Sequence, residues 1–123
     1  MVFYNFDINR WPIVILTIKG SPTSDKDMTG FLKQWESLYH ISMEKNERYK
    51  LIFDTRDASM IKIPYIRQMG KWLVKMKSLT ETWMDRTAII VSNPSIQLLI
   101  QFVFKIYKAV SCIINGFINF DTI

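Results

Sequence analysis

Leu51-Ile52-Phe53 is an apolar run that ends in a charged turn, Asp54-Thr55-Arg56-Asp57-Ala58-Ser59, and a helix begins at Pro64. Strand, polar turn and capped helix form a pattern that appears twice more in the 123-residue chain. Strands that alternate with helices call for an α/β sheet with parallel strands and right-handed crossovers. They also place the polar turns along one edge of that sheet. The pattern constrains the fold and names no reaction.

Phe3 to Asp7 alternates weakly between apolar and polar residues and Ile13 to Lys19 strongly, with Asn9-Arg10-Trp11-Pro12 as the turn between them. Two strands so close in sequence pair antiparallel as a hairpin. Gly20-Ser21-Pro22-Thr23 breaks the second strand. Ser24 then starts a helix, with Asp27 three residues on in the manner of a capping box. Phe31, Leu32, Trp35, Leu38 and Tyr39 carry the helical spacing to about His40 or Met43, with Gly30 as a weak spot. Glu44 to Arg48 reads as a charged linker and Tyr49 to Phe53 as a short buried strand. Pro64 suits the first position of the next helix, whose inward face is Ile66, Met69, Leu73 and Met76. Thr87 to Val91 is an apolar strand, and Asn93-Pro94 caps and opens a helix to about Val110. Asn115-Gly116 is a turn before a last strand, Phe117 to Phe120. The order β-β-α-β-α-β-α-β predicts one α/β domain over residues 1–123, with helices against a mixed sheet of about five strands.

Bulk properties narrow the partners. With 49% apolar residues the chain is no disordered segment. The net charge of +5 favours an acidic partner or anionic lipid, but acidic and basic residues alternate along the chain, so nucleic acid is not expected. Arg67, Lys71 and Lys75 repeat every four residues, which reads as a solvated outer helix face. Cys112 is the single cysteine, so an internal disulfide and a Cys-rich metal site are both ruled out. His40 is the single histidine and lies far along its helix from the polar edge. Ile96 to Ile118 is the one long apolar stretch, but Gln97, Gln101, Lys105 and Lys108 line one helical stripe of it. Two lysines near the middle speak against a spanning helix. Asp7, Arg10 and Pro12 break up any signal peptide at the start. The expectation is a cytoplasmic protein that is not transmembrane, needs no cofactor and is not an enzyme.

The element order, with Leu51-Ile52-Phe53-Asp54 leading through a ten-residue polar loop into a helix, resembles the STAS domain family. Asp54-Thr55-Arg56-Asp57 is similar to the Asp-x-Arg-Asp that often ends a strand in the divergent SpoIIAA-like branch. The resemblance covers almost the whole chain and implies a regulatory, protein-binding domain. In the anti-sigma-factor antagonists of this family a phosphorylated serine follows an aspartate at the start of the second helix. Here that stretch reads Ile61-Lys62-Ile63-Pro64-Tyr65, and Ser59 lies several residues early, so the phospho-switch is not expected. The family's final helix is not expected either, which would leave one side of the sheet less covered.

Two surfaces are candidates for function. Ligands of open α/β sheets bind beyond the carboxyl ends of the strands. Ser24, Asp54, Thr55, Arg56, Asp57, Ser59, Lys62 and Asn93 fall there and could take a small anion, nucleotide or lipid. The competing explanation is that they only cap helices and close turns. The other surface is the last helix, where Leu98, Leu99, Phe102, Val103, Phe104 and Tyr107 cover more than one face, with Lys105 at the rim. One face packs on the sheet and the remainder is left for a protein partner or a second copy. The reading that follows is a non-enzymatic interaction or regulatory module, with ligand binding at the strand-end loops, or a structural subunit of an assembly such as a virus particle, as alternatives.

Overall fold

The computed structural model describes residues 2–107 and 114–119, with side chains as far as residue 102. Strand β1 (Tyr4–Arg10) turns through Trp11-Pro12, whose peptide is cis, into β2 (Ile13–Gly20). Helix α1 (Asp25–Lys45) leads to β3 (Tyr49–Ala58). Helices α2 (Ile63–Lys75) and α3 (Lys77–Trp83) precede β4 (Met84–Val91). Helix α4 (Pro94–Tyr107) crosses to β5 (Ile114–Asn119). The strands lie in the sheet in chain order, β1-β2-β3-β4-β5. The first pair is antiparallel and the others are parallel. Crossovers of one hand that always step the same way put their helices on one face. Accordingly α1, α2 and α4 share the same side of the sheet, where all three line one cavity. The class read from the sequence, α/β with a mixed sheet, is the class observed.

The strands bury every second residue on that side: Val14, Leu16 and Ile18 of β2, then Tyr49, Leu51, Phe53 and Thr55 of β3. Against them α1 lays Phe31, Leu32, Trp35, Leu38 and Tyr39, the residues with the helical period. Rings make up much of the contact. Trp35 lies 5.7 Å from Phe31, 6.3 Å from Phe6, 6.1 Å from Phe53 and 5.3 Å from Trp72, centroid to centroid. Its Nε1–H donates to the Tyr49 hydroxyl at 3.2 Å. The hydroxyls of Tyr39 and Thr80 bond at 2.7 Å and join α1 to α3. At Gly30 of α1 a Cβ would stand 3.2 Å from Tyr4 Oη, so the glycine lets the hairpin approach closely at a cost in helix propensity.

Three boundaries depart from the expected ones. The charged run after Phe53 is not a turn: β3 continues to Ala58, pairing Lys19 with Asp57 and Gly20 with Ala58 after a bulge. Polar residues persist in this strand because alternate ones face the side without helices and need no apolar partner. The helix from Pro64 ends at Lys75, and α3 follows at once around Met76, before β4 begins three residues ahead of Thr87. Asn115-Gly116 is not a turn but part of β5, with Gly116 opposite Ala88. Cys112, Lys108 and Phe120 lie outside the described residues.

Removing the Trp35 ring leaves a void among four others. Trp35→Ala is expected to lower unfolding free energy by about 3–5 kcal/mol, read as a shifted urea midpoint. Burial pushes the Tyr49 phenol well above its ordinary value and raises that of Tyr39. A raised folded value favours the protonated form, so this contribution is intact below about pH 10 and is lost as pH rises through the folded values. Tyrosinate absorbance from this pair should therefore emerge only together with loss of near-ultraviolet dichroism; its appearance in a still-folded protein would contradict the packing described.

Candidate functional site

The carboxyl ends of the parallel strands bring the expected polar residues close in sequence order but not onto one surface. Ser24 is the N-cap of α1, its Oγ accepting from the Asp27 amide at 3.1 Å. The Asp27 carboxylate accepts in turn from the Thr23 hydroxyl at 2.7 Å and the Thr23 amide at 2.9 Å, which hold it below the usual carboxylate range. Asn93 does the same work at α4, its Oδ1 accepting from the Ser95 amide at 2.8 Å. Both side chains are engaged in the caps that their sequence neighbours require.

The period of the strand separates the rest. Asp54 and Arg56 stand on the face away from the helices, and Thr55 stands on the face beneath them. Arg56 grips Asp54 through both ends of its guanidinium, Nε to Oδ1 at 3.0 Å and Nη2 to Oδ2 at 2.7 Å. The hydrogen bonds from Arg56 hold the Asp54 carboxyl below its ordinary value despite partial burial. A carboxylate fixed as the anion accepts protons poorly near neutral pH, which suits an ion pair better than a general base. Thr55, 2% exposed, donates its hydroxyl to the Ile90 carbonyl at 2.9 Å and ties β3 to β4. Asp57 is exposed at the end of β3, and Lys62 is exposed at the N-cap of α2, where it makes no side-chain cap bond. The Ser59 amide donates to the Gly20 carbonyl at 2.8 Å.

What the sequence did not reveal is a cavity of about 90 Å³ on the helical side of this edge. Its floor is Ile18 and Phe53, and its walls are Met28 and Phe31 of α1, Ile66 and Met69 of α2, and Ile96, Leu99 and Ile100 of α4. Gly20 turns out of β2 with φ +73°, in the left-handed region that glycine favours, and leads into the lip formed by Ser21 and Pro22. Ala58, Ser59 and Ile61 complete the opposite lip. Five elements contribute, so no single run of sequence could announce it. The one available signal was the Met and Ile spacing of α2, which reads equally well as ordinary core.

Helix α4 has two apolar sides. Ile96, Leu99 and Ile100 turn toward the cavity, while Leu98 is 66% and Phe102 53% exposed. Val103, Phe104, Lys105 and Tyr107 belong to the same helix, but their side chains lie outside the described residues. On the uncovered face of the sheet, Ile15, Ile52 and Ala88 stand in register as a short apolar row. Exposed Lys50 and Arg86 flank that row on one side, and the Asp54–Arg56 pair flanks it on the other. Among the described residues no helix is long and apolar enough to cross a membrane.

The Asp54–Arg56 pair makes stability depend on acid. A folded carboxyl value below the unfolded one contributes stability above about pH 4, lost as pH falls through the folded value. Asp54→Asn should flatten the stability–pH curve below pH 4 in equilibrium denaturation; an unchanged slope would show that the pair carries no such linkage. The chain matches no protein-family model, no curated protein and no solved structure.

Proposed function

We propose that the chain is a non-enzymatic, STAS-like interaction module that self-associates through the outer side of α4. The observation that carries this reading is the exposure of Leu98 and Phe102, two large apolar side chains one helical turn apart on a helix whose inner side is already packed. Such a stripe can meet its own copy across a twofold axis, residue i of one protomer contacting residue j of the other and the reverse. Exposed apolar patches on soluble domains mark interaction sites more often than chance. α2 packs beside α4 and also exposes an apolar side chain, Val74. The hairpin followed by parallel strands in chain order, with helices on one side, supports the STAS-like reading, as do the Asp54 and Asp57 positions at the end of β3. A cytoplasmic setting goes with it.

Phe102 sits away from the cavity wall, so a charge there tests the contact without disturbing the core. Light scattering over a concentration series should give a dimer for the wild type. Phe102→Asp should give a monomer with unchanged circular dichroism and a dissociation constant raised at least tenfold. A wild type that stays monomeric at every concentration sinks the proposal.

A further inference from the structure

We propose that the cavity at the carboxyl ends of β2 and β3 is a binding site for an alkyl chain. This inference is independent of the α4 contact, because the residues that face the cavity and those that face outward are different residues of that helix. Two properties of the wall select the ligand class. It contains no charged side chain, and its one buried hydroxyl, that of Thr55, already donates to the Ile90 carbonyl at 2.9 Å. Ordered water needs two to four polar partners in such a space, and Ile18, Phe31, Phe53, Met69 and Leu99 offer none. Water held there is easily displaced by hydrocarbon, whereas an anion would lose its hydration and gain little in return.

The volume sets the size. Sites for drug-sized ligands span roughly 300–1,000 Å³. About 90 Å³ therefore admits the end of a chain and not a whole lipid. The remainder of the chain has a path outward. Met60 and Ile63 are 56% and 63% exposed on either side of Ile61, which lines the cavity, so the β3–α2 connection presents an apolar lip.

The test is calorimetric titration of the full chain with n-alkanols from butanol to octanol. Affinity should rise about fourfold per methylene and then level off once the cavity is full. Ala58→Leu fills the space from the sheet and Ile66→Phe fills it from α2. Each should weaken octanol binding at least tenfold while keeping the wild-type melting temperature, and Phe102→Asp should leave it unchanged. Decanoate and phosphatidylcholine vesicles then separate two sources of the same chemistry. Saturable binding of decanoate alone assigns the site to free acids, and vesicle flotation lost in Ala58→Leu assigns it to lipid tails. No saturable alkanol binding by the wild type, or undiminished binding by both filled variants with the fold intact, overturns the proposal.

Discussion

The structure depends on Trp35. It projects from the middle of α1 into ring contact with β1 through Phe6, with β3 through Phe53 and with α2 through Trp72. Its one polar atom is satisfied by the Tyr49 hydroxyl, so the indole is buried without an orphaned donor. Trp72 Nε1, by contrast, is buried with no hydrogen-bond partner, which carries a cost, although its ring packs against Trp35 and Tyr39. Because the described helices all lie on one side of the sheet, one helical layer supplies nearly all of the packing seen. A residue that touches three elements at once fixes how that layer sits on the sheet.

Much of this was legible in the chain. The spacing of Phe31, Trp35, Leu38 and Tyr39 could belong only to a helix with one buried face, and those residues are the buried ones. Ser24 and Asn93 announced their helix starts by side-chain chemistry, and both make the expected bonds. Asp54 to Ala58 misled because a run of charged residues resembles a turn when its strand partner is unknown. Whether a polar segment pairs depends on β2 offering Lys19 and Gly20 alongside it, which is a tertiary fact. Period-two alternation then sent Asp54 and Thr55 to opposite faces and divided what had looked like one polar site. The cavity was illegible for the same reason, since it exists only where side chains from several elements stop short of one another.

Parallel sheets are usually covered on both faces, and among the described residues this one has helices on a single face. Ile15, Ile52 and Ala88 form the apolar centre of the other face, and the flanking rows mix charge with apolar residues, Ile13 beside Lys50 and Ile90 beside Asp54. Leu98 and Phe102 of α4 are exposed, whereas Ile15, Ile52 and Ala88 are half-buried. That contrast is why Leu98 and Phe102, and not the sheet, carry the proposed contact.

The identity of strand order and chain order has a kinetic consequence. Each strand from β2 onward pairs with the one made before it, and each crossover helix docks beside a neighbour that already exists. No strand has to be inserted between two others, so the sheet can grow outward from the hairpin as the chain leaves the ribosome. Each parallel pairing still has to close a whole crossover, as Val14 onto Leu51 and Leu51 onto Thr87 do, and pairing across that much chain is intrinsically slow. At every stage the newest strand is an open edge that the next one covers, alongside the standing edge of β1, so a pause in synthesis leaves that newest backbone unpaired.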